Sequence, residues 1–538
     1  MNRREPNIFK NLALQGPFRL PGLVLLLSAV AFVLYALYFD NGPYSVYDDS
    51  FISFRYARNL AQGHGLVFNL SERVEGYTNF LWTVLMAGAM ALGVDVIIAS
   101  KILATVAGIA TLWLTFHLGR QELGDVWPGA LTAGMLAVTV SFARYAVSGF
   151  EMLLYGMLVL LGLYLYLRAL KVGTIPASAG IALALAAMTR PEGTIVYGAV
   201  TLHYLFTLWL KPVPGTQRLA HFGGWLASFS LVYVPYFIWR YTYYGYLLPN
   251  TFYAKVGQPN LVLFRRGLLY LQEILLLANP QAVLCLGLGY FWTGRRRTQV
   301  LLYGLVGIYL SYIIAVGGDM QEVFGSRFLI PLLPVIYVLG VGGMKGLADR
   351  LDQRKHNLLW VGFIGALICI FVIWSRFEQR GYLSLQQEGW ITLGHWLNRQ
   401  AQPDDTLAID AAGIIPFYST LYTIDMFGLN DLHIAHLTVT TGQGFAGHDK
   451  SAPAYVLNRR PTYIATWLDQ DGHARQAGLP TVLDQLEADY ILWAVVLMRP
   501  PGSDEAPIVV DPEYTFDLYK RGYTYGVFRR KDRTEMRQ

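Results

Sequence analysis

Two adjacent carboxylates, Asp48 and Asp49, stand shortly after a long apolar run that ends at Phe39, and Arg55 follows them. Charges beside a membrane are costly unless they are solvated, paired or used. If both acids face one site, their repulsion raises a pKa and prepares one of them as a general base. The alternative is that one caps the helix expected over Phe51–Leu60, since an acid can accept the free N–H groups of a helix start. Further along, Glu75, Tyr77 and Asn79 offer a carboxylate, a phenol and an amide at the start of the apolar stretch 78–93. Glu75 reads equally as part of a loop-fixing salt bridge. His64, between Gly63 and Gly65, reads as a turn residue.

Later segments add charges of both signs. Glu151 follows Ser148-Gly149-Phe150 and begins an apolar run, where an idle carboxylate would be costly. Arg190 and Glu192 flank Pro191 and are either paired with each other or aimed inward. Asn250, Tyr253 and Lys255 lie in the string Leu248–Lys255, Asp319 follows Gly317-Gly318, and Arg327 opens another apolar run. Lys and Arg can hold a phosphate while carboxylates address hydroxyls, so the set suits a cavity for an anionic amphiphile. There is no Walker motif and no His-x-x-x-His of a membrane zinc protease. Asp431, His433 and His436 are better read as loop residues than as a metal site.

These residues need a membrane scaffold to position them. The chain is 54% hydrophobic and 14% charged with a mean hydropathy of +0.37, which identifies an integral membrane protein. Residues 1–375 hold 27 Lys/Arg and 16 Asp/Glu, whereas residues 376–538 hold 15 and 20. The net charge of +6 therefore belongs to a basic membrane part carrying an acidic tail, and no nucleic-acid partner is expected. Cys285 and Cys369 sit in apolar runs and read as core fillers.

Apolar runs near 20–39, 96–117, 127–143, 151–168, 175–190, 193–210, 221–240, 278–293, 299–316, 327–344 and 357–375 predict about 11 transmembrane helices. Stretches 78–93 and 260–277 are read as interfacial helices, the latter because it carries Arg265, Arg266 and Glu273. This count puts the basic start (Arg3, Arg4, Lys10), Lys211, the Arg295–Arg297 triplet and Lys345 on the cytoplasmic side, as the positive-inside rule requires. It leaves Asp48, Asp49 and the other mixed charges outside. Strand-like segments 406–410, 422–427 and 490–495 alternate with helical ones in the tail, which predicts an extracytoplasmic α/β domain over 376–538. Residues 1–375 form the expected transmembrane catalytic domain, with a first outer loop over 40–95.

The string Tyr47–Leu60, continued by Gly63–Asn69 and Glu72–Trp82, resembles the first outer loop of the GT-C superfamily, and within it the terminal β-(1→2)-arabinofuranosyltransferase family. Ser148–Glu151, Thr189–Gly193, Leu248–Lys255, Gly317–Asp319 and Arg327 are similar to later pieces of the same group, and Asp425–Asp431 more loosely. The resemblance implies a multi-pass GT-C-like enzyme of the bacterial plasma membrane. It would move a sugar, D-arabinofuranose or another furanose or hexose, from a polyprenyl-phosphate donor to a cell-envelope glycan. It further implies Asp48 as the catalytic carboxylate, with Asp49 and Glu151 placing the acceptor. Lys255, Arg190 and Arg327 would hold the leaving phosphate, and Arg55, Glu75, Tyr77, Asn79, Glu192, Asn250, Tyr253 and Asp319 complete the expected donor site. No cofactor is required, although a divalent metal at the paired acids is compatible with the superfamily. The competing class is a polyprenyl-linked glycan flippase or transporter, which predicts polar residues spread along a path through the membrane.

Overall fold

A computed structural model describes residues 19–70, 72–210, 214–255, 261–319, 326–377, 382–439, 447–469, 471–497, 508–510 and 524–535. Arg3, Arg4, Lys10 and Lys211 lie outside the described residues. Among the described residues, five helices are long and apolar enough to cross a membrane: Gly22–Phe39 within the Arg19–Phe39 helix, Val96–Leu123, Met152–Val172, Gly215–Tyr244 and Arg296–Ala315. This is a multi-pass membrane protein. The helix ends follow local chemistry. Asp95 accepts hydrogen bonds from Ile97 N and Ile98 N at the start of Val96–Leu123, and that helix stops at Gly124, whose φ is +74°.

Several runs read as spans are shorter or broken in the structure. The run 127–143 divides into Val126–Ala137 and Val140–Arg144. Ala177–Thr189 and Leu333–Ala348 are likewise shorter than the roughly 20 residues a bilayer core needs. The interfacial reading of 78–93 corresponds to a 12-residue helix, Phe80–Ala91. Leu261–Leu277 and Pro280–Phe291 meet at 88°, so they make either one broken span or a re-entrant pair. Pro280 opens the second helix, where its missing N–H costs nothing.

The tail carries a six-stranded mixed sheet built from β1 Thr406–Ile409, β2 Tyr422–Asp425, β3 Tyr463–Trp467, β4 Tyr490–Leu497, β5 Ile508–Val510 and β6 Thr524–Arg530, ordered β2-β1-β3-β6-β4-β5. β1 runs parallel to β2 and β3, while β6 is antiparallel to β3 and β4. Alternate side chains point to opposite faces. Leu407, Ile409, Tyr463, Ala465, Tyr525 and Val527 join the core that continues into the membrane helices. Ala408, Ile464, Val495 and Phe528 belong to a second core on the other face. The sheet is thus fused to the helical part through a shared apolar layer.

Candidate active site

The Asp48–Ala61 helix starts without help from either acid, because its N-cap residue is Tyr47 and no side chain caps it. Instead, Tyr47 N and Ser50 Oγ both donate to Ser148 O, and Trp82 Nε1 donates to Gly149 O. Gly149 has a φ of +82°, and a Cβ there would press on Val46 Cγ1. The glycine therefore lets the Ser148–Glu151 turn lie against the first loop, delivering Glu151 beside Asp49 and Asn79 at the wall of one cavity.

That cavity holds about 340 Å³ and receives Asp49, Tyr77, Asn79, Glu151, Arg190, Glu192, Lys255, Asp319 and Arg327. Glu151 is almost fully buried and does not cap its own helix. Its carboxylate accepts from Asn79 Nδ2 at 2.8 Å and pairs with Arg190 at 2.5 Å. Arg190 also donates from two nitrogens to Glu192, at 3.2 and 2.9 Å, and Tyr312 donates to the same Glu192 at 3.0 Å. The two expectations for Arg190 and Glu192 are therefore both met: they pair and they face inward. Tyr77 reaches the wall with its hydroxyl fixed by Tyr244 at 3.2 Å.

On the other side, Arg327 is held firmly by Asp319, with one contact at 2.8 Å, and loosely by Asp49 at 3.7 Å. Burial acts to raise the Asp319 pKa, but the Arg327 and Lys255 charges outweigh it and hold the carboxyl below its ordinary value. Asp49 is the accessible acid of this group, with its side chain 38% exposed. Lys255 rests its aliphatic stem against Gly447, a residue of the tail. Among the described residues its ammonium makes no ion pair.

Five expected site residues lie elsewhere. Asp48 is turned toward the tail, where its two oxygens accept from Gly413 N at 3.1 Å and Ile414 N at 2.6 Å. It caps the short Ile414–Ser419 helix rather than its own. Burial pushes its carboxyl up to about 7, against the pull of those two N–H groups. Arg55 is also buried, donating to Phe68 O, Pro416 O, Leu421 O, Thr423 Oγ1 and Asn69 Oδ1. Its guanidinium has no donors left for a substrate. Glu75 pairs with Arg240 at 2.7 Å, the loop-fixing alternative. Asn250 donates to Gly428 O and Leu429 O, and Tyr253 stacks on His436. All five fasten the loops between the helices or join them to the tail.

The divergence of Asp48 and Asp49 bears on the metal possibility. Both Asp48 oxygens accept backbone N–H bonds from the tail, whereas Asp49 lines the cavity. Among the described residues, the one group of three potential ligands within reach of each other is Asp469, Asp471 and His473, far along the tail sequence. Of the weak trio noted in the sequence, Asp431 caps the Leu432–Ala435 helix and His433 stacks on Tyr455.

Sequence reasoning missed Tyr312, Phe328, Leu429 and Gly447 as cavity residues. Phe328 borders Arg327, and Leu429 belongs to the Asp425–Asp431 string, but no local pattern marks Tyr312 or Gly447.

A domain of unknown function (DUF8728) matches residues 379–521. The terminal beta-(1->2)-arabinofuranosyltransferase of Mycobacterium tuberculosis is 28% identical over 371 residues, covering 60% of this chain and 55% of that protein. The chain spans about half the length of the curated relatives it matches. Among solved structures, ArnT from Cupriavidus metallidurans in the apo state aligns with a TM-score of 0.54 and 12% identity, covering 94% of this chain and 98% of that one. The same protein bound to undecaprenyl phosphate aligns with a TM-score of 0.51 and 13% identity, covering 76% and 86%. The Archaeoglobus fulgidus oligosaccharyltransferase aligns at 0.50 and 11%, covering 93% and 75%. The chain therefore has the GT-C fold, with membrane helices followed by a C-terminal sheet domain.

Proposed function

We propose that the protein is a glycosyltransferase that moves a sugar from a polyprenyl-phosphate donor to a cell-envelope glycan at the extracytoplasmic face of the bacterial plasma membrane. The observation that carries this reading is a single cavity between the membrane helices and the tail in which Asp49, Glu151, Lys255 and Arg327 meet. The charged residues of this cavity stay at one end of the Met152–Val172 helix, which suits a transferase better than a flippase, whose path would run through the membrane. Support also comes from the arabinofuranosyltransferase relatives and from the undecaprenyl phosphate bound by ArnT.

Asp49 is assigned the catalytic role first given to Asp48, because Asp49 is the accessible carboxylate of the pair. In this scheme the acceptor hydroxyl oxygen attacks the anomeric carbon while its proton passes to Asp49. The bond from the anomeric carbon to the phosphate oxygen breaks, and its electron pair leaves with polyprenyl phosphate. Lys255 and Arg327 stabilise the departing negative charge, which grows toward the transition state. Asp319 holds Arg327 in place, and Arg190 with Asn79 fixes Glu151 against the acceptor or sugar hydroxyls. D-arabinofuranose is the proposed sugar, on the strength of the named relatives. The N-terminus is assigned to the cytoplasm and the tail domain to the outside.

Purified protein in sealed proteoliposomes, given radiolabelled polyprenyl-phosphate sugars and membrane glycans, tests this directly. Transfer from at least one donor, strongest with arabinofuranose, is expected. Export of an intact lipid-linked glycan across the bilayer without sugar transfer would establish the transporter instead.

A further inference from the structure

A second cavity, of about 420 Å³, takes in Leu167, Leu170 and Lys171 near the end of the Met152–Val172 helix, along with the Arg295–Arg297 triplet. Glu151 marks the other end of that helix, so this cleft lies about 30 Å from the candidate active site, at the opposite membrane surface. The side chain of Trp209, 71% exposed, ends a neighbouring helix, as expected for a residue at the lipid–water boundary.

The arginine turn is pinned to the cleft wall. Buried His203 accepts at Nδ1 from the Tyr166 hydroxyl at 2.6 Å and donates from Nε2 to Arg297 O at 3.1 Å. One residue on, Thr298 Oγ1 donates at 3.0 Å to Glu122, whose side chain is fully buried. Among the described residues, Glu122 is the one carboxylate lining the cleft, and it is already paired with Lys171 at 2.9 Å. The guanidinium groups of Arg295, Arg296 and Arg297 make no ion pair among the described residues. The turn, held at Arg297 O and Thr298 Oγ1, thus presents three cations beside the apolar edges of Leu167 and Leu170.

We propose that this cleft binds the headgroup phosphate of an anionic phospholipid in the leaflet opposite the active site, with the first acyl carbons against Leu167 and Leu170. Simple orientation of the chain by its arginines would need neither the cleft nor the two hydrogen bonds that hold the turn against it. Charge complementarity selects an anionic lipid over a zwitterionic one.

Native mass spectrometry of the full chain, titrated with phosphatidylglycerol, phosphatidylcholine or inorganic phosphate, tests the assignment. One phosphatidylglycerol should stay bound where phosphatidylcholine does not, and millimolar phosphate should leave it in place. Retention should fall about tenfold or more in R295Q/R296Q/R297Q. Leu170→Trp fills the cleft without altering charge, which guards against a topology defect in the triple variant, and it should lose the lipid as well. Equal retention of both lipids, displacement by phosphate, or full retention in Leu170→Trp would overturn the proposal.

Discussion

Asp48 and Asp49 are neighbours in sequence with opposite occupations. Asp48 accepts two backbone N–H bonds from the tail, whereas Asp49 keeps an open carboxylate 3.7 Å from Arg327. Asp48→Asn should therefore act chiefly through stability, because its amide cannot accept from both Gly413 N and Ile414 N; a thermal-melting shift equivalent to about 1–3 kcal/mol is expected. Asp410 is another buried acid nearby, accepting from Tyr525 and Thr466 hydroxyls and from Trp467 N. Burial pushes Asp410 up to about 6 and Asp48 up to about 7. A carboxyl whose folded pKa is raised contributes stability that is complete below its ordinary value and is lost as pH rises through the raised one. The melting temperature should accordingly fall between about pH 4 and pH 7, and Asp410→Asn should flatten that slope. A melting temperature that rises across this range would contradict the assignment.

At the scale of elements, the junction between first loop and tail depends on close backbone approach. A Cβ at Gly413 would collide with the carbonyl oxygen of Asp48, so Gly413→Ala must push the Ile414–Ser419 helix away from the loop. Overpacking of this kind typically costs about 1–3 kcal/mol, and limited proteolysis should find the tail more easily cleaved in the variant. The same junction explains which site residues were legible. The Tyr47–Trp82 string correctly marked a densely built loop, but spacing alone could not show that Arg55 and Asp48 would turn to carbonyl and N–H groups of residues more than 350 positions away. Glu151 and Arg190 were easier, since charged groups at the ends of apolar helices have few alternatives to pairing or function. Boundaries were harder. The run 127–143 carries no charge, and Thr139 and Ser141 are too weak a signal to announce the break after Ala137.

Across the whole molecule, apolar content and charge asymmetry were enough to read a membrane-embedded helical part and an acidic α/β tail. They could not reveal that one face of the sheet shares its core with the helices, because that contact joins segments distant in sequence. The fusion makes the cavity a property of both parts, with Lys255 supplied by the short Asn250–Lys255 helix and Gly447 by the tail. Lys255→Ala should consequently weaken donor use more than it alters folding. Its loss is expected to raise the KM for the polyprenyl-phosphate donor and lower kcat at least about tenfold, since a cation that meets growing phosphate charge acts most strongly in the transition state. Unchanged donor kinetics would remove Lys255 from the phosphate site.

The most direct measurement is the transfer rate of Asp49→Asn beside wild type and Asp48→Asn, with the same labelled donor and with donor binding followed in parallel. Loss of a positioned general base predicts a fall of about 10²–10⁴-fold for Asp49→Asn with donor binding retained, and a smaller loss that tracks stability for Asp48→Asn. Transfer by Asp49→Asn at the wild-type rate would contradict the account.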